Sequence, residues 1–327
     1  MKPSSNLQSL PWLLAASAVC VPAGGCKTTQ VNPAVVTLVP DADDGGEPLA
    51  EVSDLDELRS RAAKGEVAVV RGVLGPRLDQ LKLNRRDPGR DALRRLAIEL
   101  ALVQGDTGSA RYQIGVLEAD FRHMGKDAQP ADAALLFMLH AQLRLRDGDY
   151  QAANKMCVHA LELVGDETSS IRGDVLRVYA RTSLVLADPA LAMSAVEQAL
   201  IDHSQVLRHA TLIDLHEDQL LRVEILMAQQ QPVEAVIAAG DLYHGAIDLF
   251  GPDTLPHAEA LVLASAASLA AGDSEAAHQF FLDARELLLA LQASQGRTEF
   301  PVSQRLLVRI QELTKAFAQP AAPASET

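Results

Sequence analysis

The chain has 327 residues, 48% hydrophobic and 4% aromatic, and carries a formal net charge of −14. That acidity argues against nucleic acid as a ligand. Abundant Ala and Leu with sparse β-branched runs favour helices over sheet.

The chain opens "MKPSSNLQSLPWLLAASAVCVPAGGCKTTQ". Lys2 supplies a positive start, and the apolar stretch Leu10–Ala23 is too short to span a bilayer, so residues 1–25 read as an export signal. Gly25 directly precedes Cys26, and "AGGC" resembles a bacterial lipobox, with Ala23 where Leu is usual. The rival at Cys20 follows branched Val19, where a small residue is required. The resemblance implies that Cys26 is the lipidated first residue of the mature chain. Such an anchor buries far more methylene than one myristoyl chain and holds without a transmembrane helix. Lys27 then implies a bacterial cell envelope address at the outer membrane, facing the periplasm. The plainer alternative is an ordinary signal cleavage site with a nearby cysteine. With Cys20 in the leader and Cys26 lipidated, Cys157 stands alone and no intramolecular disulfide is available.

Residues 26–52 hold Pro, Gly and acids without helical period and read as a flexible tether. Beyond it, Ser53 can cap "DLDELRSRAAK", and helical segments are broken by "KGE", "QGD", "DGDY", "ADP", "QQQP" and "AGD". A few residues after the last five breaks stand Ala110, Ala153, Ala192, Ala235 and Ala277, and seven residues beyond each stand Leu117, Ala160, Ala199, Leu242 and Ala284. Seven residues is nearly two helical turns, so each pair shares a face, and small residues let two helices cross closely.

The copy "ALLFMLHAQLRLRDGDYQAANKMCVHALELVG" resembles a tetratricopeptide repeat (TPR). Phe137, Ala141, the Gly148-Asp149-Tyr150 turn, Ala153, Ala160 and Leu161 match, and His140 and Arg144 depart. A second copy carries Gly272, Asp273, Ala277, Phe281 and Ala284, and the "LFGPDTLPHAEA" before it resembles the kinesin-light-chain style of the repeat. The resemblance implies an all-α, right-handed α-solenoid of antiparallel helix pairs. Residues 91–296 form the TPR-like repeats. A degenerate N-terminal repeat spans 53–90, with Val70 replacing the alanine. Residues 297–317 form a C-terminal capping helix that covers the last apolar face, and 318–327 form a disordered tail.

Charge is uneven along the chain. Leu58 to Ala97 contains eleven Lys or Arg against four acids, whereas His209 to Gly296 contains only Arg222 and Arg285 against thirteen. Such a split can steer a partner or can simply solvate helix faces.

The sequence holds no H-E-x-x-H, G-x-S-x-G or P-loop motif and no paired-cysteine metal site. His203, His209 and His216 lie near one another, but their spacing is not that of a structural zinc site. The expectation is a non-enzyme with no cofactor and no metal. In the TPR family the first helix of each pair lines a concave, peptide-binding surface. Aligning the copies places Arg95, Glu99, Gln142, Arg146, Arg177, Arg181, Glu217 and Glu224 there, with Arg146, Arg177, Arg181, Glu217 and Glu224 as the partner-binding set. Arg177 and Arg181 are i, i+4 neighbours suited to a carboxylate, and these two are expected to be solvent-exposed. The implied function is a membrane-anchored scaffold lipoprotein that binds a protein or peptide in the envelope. The alternative is a sensor or regulatory subunit that binds a small ligand or peptide.

Overall fold

The computed structural model describes residues 55–81, 90–125, 129–205, 209–295 and 304–318. The leader, Cys26, the tether, Ser53 and the tail from 319 lie outside the described residues. The described helices pair in chain order: α1 (Leu55–Ala63) with α2 (Val67–Leu81), α3 (Arg90–Val103) with α4 (Thr107–Met124), and α5 (Pro130–Arg146) with α6 (Tyr150–Val164). Then come α7 (Ser170–Val185) with α8 (Pro189–Gln205), α9 (His209–Ala228) with α10 (Pro232–Phe250), and α11 (Leu255–Ala270) with α12 (Ser274–Gln295). The helix α13 (Gln304–Ala318) closes the stack. No strand occurs among the described residues, and no helix there is long and apolar enough to cross a membrane.

One turn recurs in every pair. In α3–α4 the amide of Gly105 donates to Leu102 and that of Asp106 to Ala101. The same two bonds form at Gly65–Glu66, Gly148–Asp149, Ala187–Asp188, Gln230–Gln231 and Gly272–Asp273. This is a Schellman turn, whose pivot residue takes a left-handed conformation that glycine adopts without a Cβ penalty. Four pivots are glycine, whereas Ala187 (φ 62°) and Gln230 (φ 58°) adopt it with a side chain. At Asp106, Asp149 and Asp273 the carboxylate then caps the second helix by accepting from an amide three residues on.

The repeated alanines sit where their spacing predicts. Ala110, Ala153, Ala192, Ala235 and Ala277 are all fully buried, as are Leu117, Ala160, Ala199 and Leu242, with Ala284 at 1% exposure. Each alanine amide makes the first bond of its helix, to Asp106, Asp149, Asp188, Gln231 or Asp273. Val70, also fully buried, bonds Glu66 in the same way, so the degenerate first pair follows the same plan. At the other end Leu306 and Leu313 of α13 pack on Leu261, Val262 and Phe281, and Phe317 meets Phe281 at 5.4 Å between ring centres. The described part of the predicted capping segment thus covers the last pair.

First helices of successive pairs touch in series, from α3 through α5, α7, α9 and α11 to α13. Some contacts skip this order: α1 also touches α9, and Gly65 lies beside the Leu255 side chain. The first pair therefore leans on the inner helices of the fifth and sixth.

Candidate functional site

The middle of the inner row is a cluster of buried charges. Asp174 follows Gly173 on α7, three residues before Arg177 and hence on the same face. Arg177 Nη2 meets Asp174 Oδ1 at 2.6 Å and Asp214 Oδ1 of α9 at 3.0 Å, and its Nη1 lies 3.5 Å from Asp218 Oδ1. Arg95 of α3 reaches Asp174 Oδ2 at 2.7 Å and Glu99 at 2.8 Å. His203 of α8 places Nδ1 2.6 Å from Asp218 Oδ2. Its Nε2, fully buried, lies 3.5 Å from Asp174 Oδ1 and makes no hydrogen bond. The imidazole lies flat on the backbone of α7: a Cβ at Gly173 would come within 2.6 Å of His203 Nε2, so only glycine admits the ring.

The electrostatics follow from burial and contact. Burial alone would raise Asp174, but Arg95, His203 and Arg177 hold its carboxyl well below the usual range. Asp214 goes the other way: burial and the nearby Asp174 charge raise it, and Arg177 and Arg59 of α1 only partly offset them. Burial would lower His203, but its contacts with Asp174 and Asp218 raise it to about 9. The Arg177 guanidinium, despite burial, is held charged by Asp214, Asp218 and Asp174.

This arrangement corrects the expectation of an open, charged groove. Arg177 is only 12% exposed and its guanidinium is committed to three carboxylates. Glu224 is 8% exposed and faces Arg309 of the capping helix at 3.7 Å. Arg181 and Glu217 meet each other at 2.6 Å, so the basic and acidic features expected to await a ligand neutralise one another. Arg146 is exposed and donates to the Val103 carbonyl at 3.4 Å. Of the three histidines, His203 joins the cluster, while His216 is buried with its ring edge-to-face on Phe250, 5.0 Å between centres. The side chain of His209 lies outside the described residues.

Asp174, Asp214 and Asp218 gave no signal of their own in the sequence, nor did the pair of Arg172 with Asp202, in which Nη1 donates to both carboxylate oxygens at 2.9 and 2.8 Å. One signal was present. Asp214 and Asp218 are i, i+4 neighbours on one helix, as Asp174 and Arg177 are i, i+3 neighbours on the previous first helix. Opposite signs at matching places in consecutive repeats imply a bridge.

No protein-family model matches the chain, and no curated protein matches it. Solved structures do. The crystal structure of BtubC (BKLC) from P. vanneervenii is similar over 73% of this chain and 93% of that one, with a TM-score of 0.50 and 14% identity. Two structures of the nearly identical TPR-like repeats of a kinesin light chain from Podosopora anserina have TM-scores of 0.47. They are 16% and 14% identical and cover 61% and 63% of this chain, against 96% and 99% of their own. At these identities the likeness concerns the fold: the chain is an all-α solenoid of TPR-like helix pairs.

Proposed function

We propose that the chain is a lipid-anchored, non-catalytic scaffold of the bacterial cell envelope, held at the outer membrane and binding protein partners. The observation that carries this reading is the stack of uniform helix pairs, a construction that presents several preformed contacts at once rather than one reaction centre. The anchoring half rests on Gly25-Cys26 and the tether behind it. Because Arg177 and Glu224 are largely buried, the partner surface is assigned to the more accessible charges around them: Arg146, Arg181 and Glu217.

The test has two arms. Cys26→Ser in the full chain, expressed in a bacterial host, is expected to abolish incorporation of labelled fatty acid and move the protein out of the membrane fraction. A wild-type chain that takes up no label sinks the anchoring. Separately, a protein captured from detergent-solubilised envelope by the wild-type chain is expected to bind Arg146→Glu more weakly, with the difference shrinking at high salt. An affinity unchanged at low salt removes Arg146 from the interface.

A further inference from the structure

We propose that Asp174, His203 and Asp214 form a binding site for a divalent first-row transition ion, with Asp218 positioning the imidazole. Each residue offers one ligand atom, and these atoms lie within 4.8 Å of one another in a wholly buried setting. The proposal concerns the folded repeats alone and stands or falls independently of the lipid anchor and the partner.

The observation that points to a cation is His203 itself. Its ring is fully buried, its Nδ1 is engaged by Asp218, and its Nε2 has no hydrogen-bond partner while facing Asp174. A carboxylate behind one imidazole nitrogen fixes the tautomer and raises the basicity of the other, the arrangement that orients metal-bound histidines. Gly173 supplies the open backbone surface on which the ring lies.

An ion on Nε2 takes the place that a proton would otherwise hold. Arg177 already bridges Asp174 and Asp214, so the ion competes with a guanidinium that also has Asp218 and the Asp214 carbonyl as partners.

One imidazole nitrogen with two carboxylates suits Zn2+, Co2+ or Mn2+, whereas Mg2+ and Ca2+ prefer all-oxygen sites. The full chain, stripped with a chelator and dialysed, is titrated with Co2+ and then Zn2+. The expected result is one Co2+ per chain, with visible d–d bands that Zn2+ abolishes and Mg2+ does not. Asp218→Asn, nearly isosteric, is expected to weaken Zn2+ binding about 10–100-fold, and Asp214→Asn to weaken it further. His159→Ala, at an exposed histidine on α6, is expected to leave binding unchanged. A folded wild-type chain that retains no Co2+ or Zn2+ overturns the proposal. So does binding that survives both Asp variants unchanged, which places the ion elsewhere. If the variants fail to fold, anomalous diffraction at the zinc edge from the wild-type chain decides. A peak between Asp174, His203 and Asp214 supports the site, and a peak at any other position or none refutes it.

Discussion

Arg177 and Arg181 stand one turn apart on α7, yet their surroundings differ. Arg177 is 12% exposed and touches three carboxylates, and Arg181 is 34% exposed and touches Glu217. Reversing a charge inside a buried cluster leaves its partners unpaired, so Arg177→Glu is expected to cost at least about 3–5 kcal/mol. Arg181→Glu breaks a solvated pair worth about 1 kcal/mol or less. Urea unfolding of the two variants measures the gap, and equal losses would mean that the cluster does not hold Arg177 as described. The sequence showed both arginines on one face but not how deep that face lies. Their depth is set by Asp214 and Asp218 on the next first helix, and alignment of weak repeats does not resolve a rotation between neighbouring helices.

A helix pair was far more legible than its charges. The alanine phase is a local consequence of chain geometry, because the residue four places after the capping position must face the partner helix. That is why Ala192 is fully buried while Ala190, two residues earlier on α8, is exposed. Ala192→Leu is expected to overpack the crossing and cost about 1–3 kcal/mol, and Ala190→Leu to stay within about 0.5 kcal/mol. Thermal denaturation of the pair tests this, and similar melting of both variants would contradict the packing. The turns explain the repeat's disguise. At "ADP" and "QQQP" the pivot is Ala187 or Gln230, and Pro189 and Pro232 open the following helices. The glycine that marks the turn elsewhere is therefore missing from the pattern while its conformation persists.

At the scale of the whole solenoid, repeats that touch only their neighbours are expected to unravel from the ends. Cys157, fully buried on α6, reports on the middle of the stack. Burial pushes its thiol up to about 12, offset only in part by a contact with Thr182 of α7. Only the thiolate reacts, so alkylation at mildly alkaline pH requires α6 to part from α7. Followed by mass spectrometry of the Cys157 peptide, its rate is expected to rise with urea as steeply as global unfolding. A shallow dependence would show that the middle pairs open by themselves. The reason to expect cooperativity is the Arg95–Asp174 bond, which joins the second pair to the fourth across the third, together with α1 resting on α9. These same cross-links bear on mechanics. A solenoid pulled by its ends behaves as a spring, each pair rotating slightly on the next. A tie that skips a pair removes that freedom over its length, and Glu224 of α9 facing Arg309 of α13 extends the tying past the sixth pair. Pulled by its ends, the solenoid is expected to yield between those ties rather than evenly along its length.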